Sequence, residues 1–254
     1  LVDFNNLVND NVIFALLIPV KKFMLLLSID TSTRGCSVAL HQDGRLLADY
    51  ELYTDRSSSA MLTTLISSTV DHAGYTLQDL NAVAIAKGPG SYTGLRVGVS
   101  TAKGLCYALD KPLIAINTLE AMALQVLPFF PKDFLFCPMI DARRMEVYAS
   151  VFNSDLTIIE PTKAVILQED SFEDLLKSNK VVFFGDGSAK CKPLFEQNSN
   201  AFFISTEIRP SAKTVGMLGI KSFEKGEFED LVTFEPYYLK DFMAPPTRKV
   251  SPAI

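Results

Sequence analysis

Two short segments of this 254-residue chain carry the residue types that handle phosphate. Asp30-Thr31-Ser32-Thr33 follows an apolar run. Hydroxyls and backbone N–H groups in a tight turn can cradle a phosphate, and an aspartate beside them can hold a metal-bound water. Gly88-Pro89-Gly90-Ser91 opens the longer string that runs to Gly98, where a glycine-rich turn leads into a helix N-terminus and so makes a ready anion site. Asp30, Thr31, Ser32, Gly88, Gly90 and Ser91 are therefore the candidate nucleotide- or phosphate-binding residues. Each segment also has a plainer reading. The first is an ordinary polar turn whose side chains bond their own backbone. In the second, Ser91 is an N-cap and the glycines serve turn geometry.

Two further turns occupy matching places later in the chain. Asp141-Ala142-Arg143-Arg144 again ends an apolar run with an aspartate, but a phosphate turn would be small and glycine-rich there. The two arginines read either as anion ligands or as a solvated surface pair. Gly185-Asp186-Gly187-Ser188 sits where a nucleotide-binding turn can lie, and equally reads as a loop. Metal chemistry finds little to use. His41 and His72 are the two histidines and share no ligand spacing, which argues against a metalloprotease. Cys36, Cys106, Cys137 and Cys191 form no CxxC pair and read as buried, reduced thiols of a cytoplasmic protein.

The elements that must position these turns repeat. Leu25 to Ile29, Cys36 to Leu40 and Arg45 to Leu52 read as three strands, followed by a helix from about Ser57 to Ala73. Strand Ala82 to Ala86, a helix ending near Leu109, strand Leu113 to Ile116 and a helix from Thr118 complete the first half. That second helix carries Gly94, Gly98 and Gly104 in its interior. Each glycine costs about 1 kcal/mol against alanine, so something is expected to approach the helix closely, either its own sheet or another protein. The second half reads Phe134 to Ile140, Glu146 to Phe152 and Thr157 to Glu160 as strands. A helix from Ser171 to Ser178, strand Val181 to Phe184 and helices near Ser188 and Ser211 follow. Each half thus runs βββ before its helices. That weak duplication is the pattern of the actin-like, sugar-kinase and heat-shock-ATPase (ASKHA, ribonuclease H-like) α/β architecture, with two βββαβα-type domains. The expected domains are 24–127 and 134–240, joined by a linker over residues 128–133 that contains Pro128 and Pro131.

Composition narrows the function classes. A hydrophobic share of 48% and charged share of 21% predict a folded chain. Net charge is −5, against the basic face that holding nucleic acid unaided requires, so any RNA contact is expected to be shared with a partner. The apolar stretch Val12 to Val20 is shorter than the roughly 20 residues of a spanning helix, and its lysines follow it, the wrong order for a secretory signal. Residues 1–23 are expected to be an extension or a misplaced start, and 241–254 a tail.

Taken together, SIDTSTRGCSVAL from Ser28, KGPGSYTGLRVG from Lys87, DARRMEVY from Asp141, GDGS from Gly185 and PYYL from Pro236 resemble the TsaB family, also called YeaZ. This is the dimerisation subunit of the bacterial machinery that makes threonylcarbamoyladenosine in tRNA. The resemblance runs from about Met24 to Leu239, and GPGSYTGLRVG is its most specific string. The related catalytic subunit, TsaD, carries a His-x-x-x-His metal pair on the helix after the fifth strand. The corresponding positions here are Thr118 and Met122, neither of which replaces imidazole, so the resemblance implies no metal site and no catalytic residues. The family often has a histidine where this chain reads Arg56-Ser57-Ser58-Ser59.

The resemblance further implies pairing with a TsaD-like subunit through the first two helices and recruitment of a TsaE-like ATPase. The complex transfers threonylcarbamoyl from an adenylate to adenosine 37, so tRNA is reached indirectly. Met61, Leu62, Leu65, Ile66, Arg96, Val99 and Lys103 are the expected docking residues, with the apolar ones equally able to cover their own sheet. No cofactor is expected except ADP or ATP at the partner interface. A homodimer is expected when the partner is missing, and no membrane contact. The alternative is a small-molecule kinase built on the Asp30 and Gly88 turns.

Overall fold

The computed structural model describes residues 23–54 and 58–240. The N-terminal extension upstream of residue 23, the C-terminal tail and the Arg56-Ser57 departure lie outside them. The first sheet contains β1 (Leu25–Asp30), β2 (Cys36–Gln42), β3 (Arg45–Leu52), β4 (Ala82–Gly88) and β5 (Leu113–Asn117) in the order β3-β2-β1-β4-β5. β1 pairs antiparallel with β2 and parallel with β4. The second sheet contains β6 (Phe134–Asp141), β7 (Glu146–Phe152), β8 (Ile158–Ile166), β9 (Lys180–Phe184) and β10 (Ala201–Phe203) in the order β10-β9-β6-β7-β8. Counting β6 as the first strand of its half gives the same order and the same senses of pairing. The duplication read from the sequence is therefore a duplication of topology, and the fold is actin-like and ribonuclease H-like.

Period-two alternation divides β1 between two cores. Leu25, Leu27 and Ile29 meet α1 (Leu62–His72) and α2 (Tyr92–Leu109) through Leu62, Ile66, Val70, Val99, Ala102 and Cys106. Leu26, with Ala84 and Ala86 of β4, faces the other way onto Ala121 of α3 (Thr118–Val126) and onto Val215 and Leu218 of α6 (Ala212–Lys225). The second sheet is covered on one face by α4 (Glu173–Ser178) and α5 (Ser188–Phe195) through Leu176, Cys191 and Phe195. Its other face packs on Leu119, Met122, Ala123 and Val126 of α3. The helices are thus exchanged: α3 follows the first sheet in sequence yet covers the second, and α6 belongs to the second half yet covers the first. A division at residues 128–133 separates the sheets but not their cover.

Three elements differ from the sequence reading. The first helix opens as a 3-10 turn over Ser58–Met61 before α1 begins. β8 extends to Ile166 although Pro161 interrupts its pattern, because it is an edge strand, where a missing N–H can face solvent. β10 escapes the pattern because three residues are too few to show a period.

α6 is held close to its sheet by glycine. A Cβ at Gly216 would lie 2.4 Å from the His41 ring and 2.6 Å from Ser28 Oγ. His41 is buried, its Nδ1 has no hydrogen-bond partner among the described residues, and burial lowers its pKa against a smaller opposing effect of Asp49. Gly216→Ala gains about 1 kcal/mol of helix propensity. It also forces an overpacked contact of about 1–3 kcal/mol. Net destabilisation is the expected outcome of urea unfolding, and a gain in stability would show that α6 is not seated on β1 and β2 as described.

Candidate functional site

Asp30 ends β1 in a buried position. Its Oδ1 accepts hydrogen bonds from Ser32 N (2.8 Å) and Ser32 Oγ (2.7 Å), while Oδ2 is buried without a partner among the described residues. Burial pushes the carboxyl up to about 6, against the two Ser32 bonds and with a small further rise from Glu51. Thr31 Oγ1 donates to Gly94 O (2.8 Å), and Ser91 N donates to Ser32 O (2.6 Å). A Cβ at Gly90 would stand 2.1 Å from Ser32 O, one at Gly94 2.1 Å from Thr31 O, and one at Gly98 2.2 Å from Thr31 Oγ1. These glycines let the turn after β1 lie directly on the start of α2. Ser91 is the N-cap of α2, its Oγ accepting from Gly94 N at 3.3 Å.

The Gly88 turn is closed from the other side as well. Tyr237 N donates to Lys87 O (2.7 Å), and a Cβ at Gly88 would lie 2.8 Å from Tyr237 O. Asp30, Thr31, Ser32, Gly88, Gly90 and Ser91 are thus brought together, but against one another. On the sides of Gly88, Gly90, Gly94 and Gly98 that lack a side chain, the space is taken by Tyr237, Ser32 and Thr31.

The matching turn of the second lobe is built differently. Asp141 N donates to Asp186 Oδ1 (2.8 Å), and Asp141 Oδ1 accepts from Arg143 N and Lys190 Nζ, each at 2.6 Å. Burial raises the Asp141 carboxyl, but Lys190, the Arg143 N–H and the charge of Arg34 outweigh it and hold the group below its usual range. Arg34 follows β1, so the two turns feel one another's charge across the lobes. Arg143 and Arg144 are exposed with φ of 69° and 49°, which fits the solvated pair rather than a cradle. Gly185 is required because a Cβ there would meet Met139 O at 2.2 Å and Met122 Cε at 2.7 Å.

Thr118 and Met122 share one face of α3 and are both fully buried. Met122 packs with Leu119, Phe136 and Phe184, so hydrocarbon and a thioether fill that region. Among the described residues no group of three or more His, Cys, Asp or Glu side chains converges as a metal site. The four cysteines are free and buried, and burial raises the thiol of Cys36 to about 11. Among the described residues no helix is long and apolar enough to cross a membrane.

The expected docking list divides. Leu62, Ile66 and Val99 are buried in the first core, because α1 and α2 must cover Leu25, Leu27 and Ile29; their assignment as surface residues is corrected. Leu65 is partly buried against the same core. Met61 and Arg96 are exposed, and Lys103 is half-buried with its Nζ donating to Phe234 O at 2.9 Å. Sequence reasoning passed over the residues that form the outer face: Thr63, Thr64 and Ser67 of α1 with Ser100, Gly104, Tyr107 and Ala108 of α2. Tyr107 is 84% exposed, and a Cβ at Gly104 would meet nothing within 4 Å. The available signal was the run of small and uncharged residues at the outward helix positions between Asp71 of α1 and Arg96 of α2.

Two lobes of identical strand order, sharing α3 and α6 between them, define an actin-like α/β protein whose first glycine-rich turn packs against the turn after β1. The family model described as TsaD, tRNA N6-adenosine threonylcarbamoyltransferase, matches residues 52–246. The tRNA threonylcarbamoyladenosine biosynthesis protein TsaB of Bacillus subtilis is 33% identical over 224 residues, covering 85% of this chain and 94% of that protein. The Escherichia coli protein of the same name is 31% identical over 225 residues, covering 87% and 96%. Among solved structures, YeaZ from Pseudomonas aeruginosa superposes with a TM-score of 0.71 at 25% identity, covering 85% of this chain and all of that one. The chain belongs to the TsaB family.

The buried Asp30 carboxyl gives a pH signature. Its folded pKa of about 6 lies above the unfolded value of 3.8, so the folded state binds the extra proton between those values. Stability through this group therefore rises as pH falls from 7 to 4, by up to about 3 kcal/mol. Asp30→Asn keeps the acceptor for Ser32 and removes the titration. The variant is expected to be more stable than the parent at pH 7.5, with the difference vanishing toward pH 4 in urea titrations. The His41 contribution has the opposite sign and cancels in that difference. A gap independent of pH would overturn the assignment.

Proposed function

We propose that the chain is the non-catalytic subunit of the assembly that makes N6-threonylcarbamoyladenosine at position 37 of tRNA. It docks a TsaD-like catalytic subunit on the outer face of α1 and α2 and helps to recruit a TsaE-like ATPase. The observation that carries this reading is the chemistry of that face. Solvent-facing helix positions ordinarily hold charges. Here, between Asp71 at the end of α1 and Arg96 near the start of α2, they hold Thr63, Thr64, Ser67, Ser100, Gly104 and Ala108, with Tyr107 standing 84% exposed among them. Depletion of charge around an aromatic is the composition of an interface core. Gly104 adds a second argument. An interior helix glycine costs about 1 kcal/mol against alanine. Gly90, Gly94 and Gly98 each make room for Thr31 or Ser32, whereas Gly104 makes room for nothing among the described residues.

The non-catalytic part of the reading is supported by Thr118 and Met122 standing where the catalytic relatives of the resemblance carry metal ligands, and by the packing of the Gly88 turn against Ser32 and Tyr237. That packing also weighs against the small-molecule kinase. On this reading the chain has no cofactor of its own, ADP or ATP belongs to the partner interface, and tRNA is held mainly by the partners, in keeping with a net charge of −5. The same face supports a homodimer in the absence of the partner, and the site of action is the cytoplasm.

The decisive experiment measures affinity for the organism's TsaD-type subunit. Tyr107→Glu and Gly104→Arg are each expected to weaken it by at least about tenfold, the order of one interface anchor, with no fall in the thermal midpoint. Gly104→Ala should stabilise the isolated chain by up to about 1 kcal/mol. Leu65→Asp is a poorer probe, since Leu65 is partly in the core. Native affinity in both charged variants would remove this face from the interface. Turnover of ATP on a small molecule by the isolated chain would favour the kinase.

A further inference from the structure

The chain does not end its structural role at α6. After the left-handed cap at Gly226 it returns over the first lobe. Glu229 N donates to Leu113 O (2.9 Å) on β5, and Tyr237 N donates to Lys87 O (2.7 Å) on β4. Between them Phe234 is buried in the first-lobe core with Leu231 packed against it, and Phe234 O accepts from Lys103 Nζ of α2. The Tyr238 ring lies 4.7 Å from that of Tyr92, also on α2.

The segment then crosses to the second lobe. Tyr237 Oη donates to Thr162 O (3.4 Å) on β8, and Lys240 Nζ pairs with Glu146 on β7 and reaches Ala142 O at 3.5 Å. The two grips differ in kind. The first lobe holds the segment by main-chain hydrogen bonds and a buried aromatic, which are specific and hard to break. The second lobe holds it by the ends of two side chains, and the Lys240 side chain is 35% exposed. Ion pairs of that exposure are weak and easily exchanged. Among the described residues the lobes also meet through α3 and α6, through Asn117 Nδ2 donating to Thr162 Oγ1 (2.9 Å), through Arg209 over the Tyr53 ring and through Leu156 against the first-lobe core, so Lys240 and Glu146 hold one side of the contact between them.

We propose that residues 229–240 form a latch, hinged on the first lobe and releasable from the second, that sets the angle between the lobes. Because Lys103 and Tyr92 belong to α2, the helix that presents the docking face also carries two contacts of the latch anchor. Partner docking and lobe angle are therefore coupled, and by linkage each biases the other. The coupling rests on the docking proposal; the latch does not.

The test is the distribution of distances between spin labels on exposed positions of the two lobes, introduced as Arg45→Cys and Ile166→Cys in the full chain. The native cysteines are buried and will not take label. Tyr237→Phe with Lys240→Ala should at least double the width of the distribution while leaving the thermal midpoint unchanged. Tyr237→Phe alone, the removal of one hydroxyl, should broaden it to a smaller degree. An unchanged width in both variants overturns the latch. Saturation with the TsaD-type subunit should shift the parent distribution and leave that of the double variant unmoved. Equal shifts in both would overturn the coupling while the latch stands. Failure of the docking proposal would register separately, as native affinity in Tyr107→Glu.

Discussion

The seating of the turn after β1 on the first two turns of α2 governs the rest of the molecule. Thr31 and Ser32 enter a space that exists only because positions 90, 94 and 98 lack a side chain, and Thr31 Oγ1 and Ser32 O close it with two short hydrogen bonds. That contact fixes the axis of α2 relative to β1, and hence which residues of α2 face the sheet and which face outward. It also puts Asp30 out of reach of water, which accounts for its raised pKa. The same glycine-rich string that reads as a phosphate cradle is thus consumed in joining strand to helix.

Much of this was legible in the residues. The aspartate-terminated apolar runs at Asp30 and Asp141, each followed by two more strands, disclosed the duplicated topology, because fully buried central strands leave an unmistakable apolar signature. The N-cap at Ser91 was one of the two readings its position offered, and the glycines at 94 and 98 announced a close approach without saying to what. What escaped was tertiary. Leu62, Ile66 and Val99 carry the same apolar label whether they meet a sheet or a partner, and only the rotation of the helices decides. Pro161 concealed the length of β8 because sequence does not reveal which strand is at an edge. The outer face of α1 and α2 was missed for a related reason: attention went to the apolar residues, whereas the informative feature was where charges were lacking.

Electrostatics divides the two turns that face each other across the lobes. Asp30 is isolated from solvent and from cations, so its charged form is disfavoured. Asp141, at the equivalent strand end, is held ionised by Lys190 and by the field of Arg34. Duplicated topology has therefore diverged into one dry turn, sealed against a helix, and one wet turn, bound by an ion pair at the surface.

The exchange of α3 and α6 has a consequence for how the chain is made. β1 to β5 leave the ribosome early, but the inner face of their sheet, with Leu26, Ala84 and Ile116, receives its cover from a helix that begins at Ala212. Part of the apolar surface of the first lobe thus stays bare until that helix has emerged. Vectorial synthesis cannot finish one lobe before starting the other.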